Sequence, residues 1–219
     1  MKKEAKIVLP FYKIGYAISV AVILSLIRGV THTYEIGIAI EAPFAILTVV
    51  FCADTYVQEI VSRRSEVHRL YPIKKRVSSM LMRILLQGIF LLLLAVISYG
   101  LFFVFQKPVT HPVTGSEQIQ FAAYLFAIAI TIFFWEMAVN LLAIVCRNIW
   151  MGIGGCLLLW ITTNSSGGEK LLGAWNVFSY TFRKVENPFD FTWIYGKILC
   201  VCIGMIFVAV LPKVIRKRG

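Results

Sequence analysis

Three acidic residues stand where acids are costly. Glu41, Asp54 and Glu136 lie inside apolar runs, and Asn140 follows Glu136 by one helical turn. A charged side chain at the centre of a bilayer costs about 2.5–3.5 kcal/mol on insertion scales, so such residues usually face a bundle interior or a wet cavity. Their pattern leaves three roles open: a polar contact between helices, the wall of a transport path, or a place at the membrane interface. Glu41, early in its run, is expected near the outer interface, whereas Asp54 and Glu136 are expected deeper.

Other chemistry is sparse. His32, His68 and His111 fall in three different loops, and the chain has neither an HExxH sequence nor a histidine pair at i, i+4. A zinc site built from them is not expected. No GxSxG elbow and no Walker phosphate loop occur, so the chain carries no nucleotide-hydrolysing site of its own. Cys52, Cys146, Cys156, Cys200 and Cys202 sit in or at the ends of apolar runs without a CxxC pair. They read as small packing residues rather than as a disulfide framework or a metal site.

The elements that must position these residues follow from composition. The chain has 219 residues, 59% apolar and 15% charged, with a mean hydropathy of +0.79. A soluble domain has about 45–50% apolar and about 25% charged residues. The excess points to an all-α polytopic membrane protein. Sixteen Phe, nine Tyr and five Trp provide many interfacial anchors. The net charge of +11 is better explained by membrane loops held on the cytoplasmic side than by nucleic acid, which is not an expected partner.

A bilayer core about 30 Å thick needs about 20 helical residues per crossing. Six spans are expected, at about 14–29, 36–60, 80–105, 121–146, 149–163 and 192–211. With the N-terminus inside, 16 of the 22 Lys and Arg residues fall on the inner side, which favours two cytoplasmic termini in a multi-pass cell-membrane protein. Arg28, Lys107, Lys170, Arg183, Lys184 and Lys197 make up the outer remainder. The start is basic, but the apolar run after it lacks a small-residue cleavage site and is expected to be kept as a span. Residues 1–13 form one amphipathic unit, with Lys2, Lys6 and Lys13 on one face and Ile7, Phe11 and the following Ile14 on another, and are expected to lie along the inner surface. Between spans five and six, residues 164–191 form an outer hairpin whose apolar, aromatic part lies on or dips into the leaflet. Small residues at four-residue spacing, Ala17, Ala21, Ser25 and Gly29 in span one and Gly196, Cys200 and Gly204 in span six, mark close helix packing within the chain or between two copies.

One loop is more charged than topology requires. Ser62–Arg76, "SRRSEVHRLYPIKKR", has six Lys or Arg among fifteen residues and lies within the cytoplasmic loop 61–79. Glu59, then Arg64, Glu66 and Arg69, lead into "YPIKKR" and Arg83. This run resembles the permease subunits of type-2 ABC exporters of the small bacterial peptide- or drug-export kind. Those proteins carry an acidic end to span two, a loop with Glu and Arg, and a Leu-Pro-Ile-Ser-Arg-like motif. Here Tyr71 stands for the Leu and Lys74 for the Ser, and Met82-Arg83 only approximates the family's Gly-Lys.

The resemblance implies six spans, an interfacial first helix, short outer helices between spans five and six, and a coupling helix seated on a separate ATPase. Arg64, Glu66, His68, Arg69, Tyr71 and Pro72 would form that contact. It implies no cofactor in this chain, ATP and Mg being bound by two copies of the ATP-binding subunit. It further implies a second permease subunit, the same chain or a sister, with membrane lipid around both. Such a protein is not an enzyme by itself. It would export amphipathic, antimicrobial or toxin peptides, or hydrophobic drugs. The alternative is an ion-coupled carrier or membrane-embedded enzyme using Glu41, Asp54 and Glu136, with Asn140 beside the last.

Overall fold

Pro10 sets where the first helix begins. Its φ of −67° and ψ of 150° place it just outside a helix that starts at Phe11, as suits a residue with fixed φ and no N–H to donate. The structure is a computed structural model that describes residues 7–55, 57, 71–109, 117–183 and 191–218. Its helices are α1 (Phe11–Ile27), α2 (Thr33–Cys52), α3 (Ile73–Gln106), α4 (Glu117–Cys146), α5 (Ile149–Thr163), α6 (Ser166–Leu172) and α7 (Trp193–Arg218), with a 3-10 turn at Gly173–Trp175. Among the described residues, one isolated bridge, between His32 and Val109, is the β-type pairing. The α2, α3, α4 and α7 helices are long and apolar enough to cross a membrane; α1 and α5 are apolar but shorter.

Local chemistry sets the helix ends. The Glu35 carboxylate accepts the N–H groups of Thr31 at 2.8 Å and His32 at 3.0 Å, satisfying donors at the start of α2. At the tight α4–α5 turn, Arg147 is left-handed with φ 53°, and the Asn148 N–H reaches back to the Ala143 carbonyl at 3.2 Å. The Asn148 side chain then accepts the Trp150 N–H at 2.9 Å, so one residue closes α4 and caps α5.

Three connections meet at one end of the bundle. Val109 N–H donates to Thr31 O at 2.9 Å, and Thr33 N–H donates to Val109 O at 3.3 Å. The Arg183 guanidinium reaches Tyr34 O at 3.4 Å. At the opposite end Val57, Met80, Ile84, Met137, Ala143, Leu211 and Ile215 form a small apolar cluster. Helices α2 and α4 are mostly buried, whereas α3 and α7 each turn a broad apolar face outward.

Several sequence expectations shift. Ala17, Ala21 and Ser25 are fully or almost fully buried inside this chain, against α3 and α2. The stripe is therefore used within the subunit and is closed to a second copy. The α2 helix ends at Cys52, with Ala53, Asp54 and Thr55 in a turn, and most of residues 56–60, the rest of the expected span, lie outside the described residues. The α7 helix runs on to Arg218, beyond the stretch expected to span, even though Pro212 lies inside it. Within the segment expected to form an outer hairpin, Val177, Phe178, Ser179 and Tyr180 tuck into the bundle. Phe178 stacks on Trp135 at 5.9 Å between ring centres and meets Trp160 edge-on at 6.4 Å. Non-helical backbone inside the bundle is tolerated because protein covers it and polar groups such as Phe178 N–H and Val177 O have partners.

Candidate functional site

The acids of the apolar runs belong to three separate centres. In the first, Glu41 of α2 is ion-paired with Lys197 of α7, and neither side chain reaches solvent. The ammonium has three hydrogens and three acceptors: the Glu41 carboxylate, Thr131 Oγ1 at 2.8 Å and Val177 O at 2.8 Å. The other Glu41 oxygen accepts the Thr181 hydroxyl at 2.6 Å, and Thr131 Oγ1 lies 2.9 Å from the carboxylate. A buried pair needs this satisfaction, because removing two charges from water costs several kcal/mol per ion, about as much as their attraction returns. The centre joins α2, α4, α7 and the tucked hairpin. Glu41 is thus enclosed by protein, and Lys197, placed on the outer side by charge counting, points into the bundle.

The hairpin is fixed by further bonds around this pair. Asn176 donates to Thr163 O at 2.9 Å and accepts the Phe178 N–H at 2.9 Å, and Ser179 donates to Trp193 O at 2.6 Å. A Cβ on Gly196 would stand 2.1 Å from Asn176 O, so glycine is what lets the hairpin approach α7. Burial pushes the Tyr180 phenol above its ordinary range, while the Arg183 guanidinium, 4.1 Å from its ring centre, pulls the other way.

The second centre closes the C-terminal end of α2. Lys13 of α1 is ion-paired with Asp54, donates to Phe51 O at 2.9 Å and stands 5.3 Å over the Phe51 ring. From α3, Gln87 Nε2 lies 3.5 Å from Phe51 O, and Arg83 reaches Thr55 O at 3.5 Å. The Thr55 hydroxyl sits 2.6 Å from both Cys52 O and Gln87 Oε1, donating to one at a time. The last carbonyls of a helix lack intrahelical donors and carry partial negative charge. Cations from two neighbouring helices answer both needs. Lys13 is consequently buried, contrary to its expected place on the polar face of an interfacial helix, and Asp54 lies in the turn rather than deep in a span.

The third centre is Glu136, in the middle of α4 and 2% exposed. Its partner is the Cys52 thiol, 3.6 Å from Oε1. Asn140, one turn on, donates to the Glu136 backbone carbonyl at 2.9 Å, so the two share a helix face but not a side-chain bond. The other carboxylate oxygen faces Gly88 of α3, where a Cβ would stand 3.0 Å away. Glu136 also lines a groove of about 900 Å³ between α3, α4 and α7, whose walls are almost wholly apolar.

Glu136 and Asp54 flank Cys52 from different elements. Glu41 is eleven residues before Cys52 on α2, about 16 Å along the axis at ~1.5 Å per residue. The three acids therefore do not converge on one site. Among the described residues, no group of three or more His, Cys, Asp or Glu could hold a metal ion.

Of the coupling residues, Arg64, Glu66, His68 and Arg69 lie outside the described residues, as does His111. Tyr71 and Pro72 stand at the head of α3, with Pro72 as its N-cap and Lys75 Nζ 4.7 Å over the Tyr71 ring.

Sequence reasoning missed both lysine partners. A signal existed: Lys197 interrupts the apolar run "WIYGKILCVCIG", where a lone cation invites a search for a buried acid. No protein-family model, curated protein or solved structure matches this chain.

Proposed function

We propose that the chain is a six-span permease with cytoplasmic termini, driven by separate ATPase subunits, that exports amphipathic peptides or hydrophobic drugs from a bacterial cell. Two permease subunits, identical or sister, would pair around the path, with an ATP-binding subunit beneath each. The α1 and α5 helices would make the two crossings that fall short by length alone. Satisfied polar ends favour that placement: Gln106 donates to Ser25 O at 3.1 Å at the end of α1, and Asn176 donates to Thr163 O at the end of α5.

The supporting observation is the reach of α3. It is 34 residues long, about 51 Å at ~1.5 Å per residue, well beyond a bilayer core. Its basic head, Lys74, Lys75 and Arg76, adjoins the charged loop, and its next turns form one wall of the groove that holds Glu136. One rigid rod thus joins a docking end to a cavity wall. A partner that pulls on Tyr71 and Pro72 would move that wall, a hinge-and-shear type of coupling.

The test is purification from the native membrane in mild detergent, with vanadate-sensitive ATP hydrolysis and substrate uptake into inverted vesicles as readouts. A stoichiometric ATP-binding subunit, lost on Glu66→Ala or Arg69→Ala at unchanged abundance, supports the reading. Uptake by the chain alone, driven by an ion gradient, overturns it.

A further inference from the structure

The three acids of the apolar runs differ in one respect. Glu41 has Lys197 and Asp54 has Lys13, but among the described residues no Lys or Arg is paired with Glu136. Its Cys52 partner is a thiol, a weak donor. An uncompensated carboxylate in an apolar interior is unfavourable, and this one borders a groove of about 900 Å³.

Two backbone features open the groove to a positive charge. Gly88 lacks the Cβ that would stand 3.0 Å from the second carboxylate oxygen, so no side chain at that position presses on Glu136. Pro212 of α7 has no N–H, so the Val208 carbonyl loses its regular helical donor, and both residues line the groove. Beyond Glu136, the polar side chains in the lining are Ser78 and Lys74. Lys74 precedes Gly88 by fourteen residues, about 21 Å along α3 at ~1.5 Å per residue, so its charge sits at the mouth.

We infer that this groove binds a lipophilic monocation, its apolar body packed between α3, α4 and α7 and its charge held against the Glu136 carboxylate. Charge complementarity selects this occupant over a lipid acyl chain, which would fill the volume but leave the carboxylate unanswered. The site is complete within one chain. It does not depend on an ATPase, so it stands or falls separately from the exporter reading.

The experiment measures binding of radiolabelled tetraphenylphosphonium to the full chain in lipid nanodiscs, with tetraphenylborate as the isosteric anion. Saturable binding of the cation, not displaced by the anion, is expected. Glu136→Gln keeps shape and removes charge, and should weaken affinity about tenfold or more, the effect of one charge-assisted contact. Leu85→Trp, on the exposed wall of the groove and outside the polar centres, should block binding while α-helical content stays unchanged, so the test does not rest on the acid variant alone. Absence of saturable binding overturns the inference. So does equal affinity for the anion, equal affinity in Glu136→Gln, or undiminished binding in Leu85→Trp, any of which would mean that the probe sits elsewhere or in the lipid.

Discussion

Lys197 of α7 is ion-paired with Glu41 of α2 across the interior of the bundle, and both side chains are cut off from solvent. The pair spans 156 residues of sequence and, through Val177 O and Thr181, also fastens the tucked hairpin. Lys197→Met would leave an uncompensated buried carboxylate, and loss of one partner of such a pair costs about 3–5 kcal/mol. The double variant Glu41→Gln/Lys197→Met should be more stable than Lys197→Met alone. Denaturant titration of the detergent-solubilised protein checks this. A double variant no better than the single one would mean that the lysine acts through Val177 O and Thr131, not through the acid.

The Lys13–Asp54 pair predicts a different pattern, because Lys13 also serves the end of α2. Exchanging the two residues restores opposite charges but sets a carboxylate against Phe51 O and the negative end of the helix. The swap Lys13→Asp/Asp54→Lys should therefore fail to restore stability, whereas Lys13→Arg should retain most of it. Thermal unfolding of these two variants beside the unaltered protein separates helix capping from simple pairing.

Glycine substitutions should rank by what their Cβ meets. At Gly196 it would lie 2.1 Å from a backbone oxygen, and at Gly154 nothing lies within 4 Å. Gly196→Ala should lower the yield of folded protein sharply, while Gly154→Ala should be neutral or slightly stabilising, since alanine is favoured over glycine in helices by about 1 kcal/mol. Gel filtration of both variants provides the comparison.

These cases show what a one-dimensional reading recovers. Apolar run length and Pro10, Gly29 and Pro72 mark the helices, because a helix in lipid must satisfy its own backbone and so writes its length into composition. Acids inside apolar runs were also visible, since each breaks the pattern. Their partners were not. Lys13 and Lys197 look like interface charges until folding brings them to residues 41 and 156 positions away. The tuck of Val177–Tyr180 was equally hidden, because apolar residues read alike whether they meet lipid or protein.

Topology can be tested with single cysteines in a cysteine-free background. Leu171 is 86% exposed beside the tucked hairpin, and Val109 is exposed at the same end of the bundle. Leu171→Cys and Val109→Cys should react with a membrane-impermeant maleimide in intact cells. Lys217→Cys should react only after permeabilisation. Labelling of Lys217→Cys from outside would reverse the proposed orientation.

The head of α3 separates two explanations of the basic loop. If the charges only hold the loop inside, their number matters and their placement does not. If the head is a handle for a partner, its shape matters. Tyr71 lies under the Lys75 ammonium and precedes Pro72, so its ring braces the first turn of the helix. An exposed cation–π contact contributes about 0.5–1 kcal/mol, too little to affect insertion but enough to loosen the turn. Tyr71→Ala should leave abundance and labelling topology unchanged while lowering substrate-stimulated ATP hydrolysis in the purified complex. Tyr71→Phe and Lys75→Arg keep ring and charge and should behave as wild type. Lys75→Gln removes one charge from a strongly basic segment, so topology should survive, yet coupling should fall as it does in Tyr71→Ala. Equal hydrolysis across all four variants would assign the segment to topology alone. A loss in the alanine and glutamine variants, with the phenylalanine and arginine variants intact, would require that the braced turn itself transmits force to the groove wall.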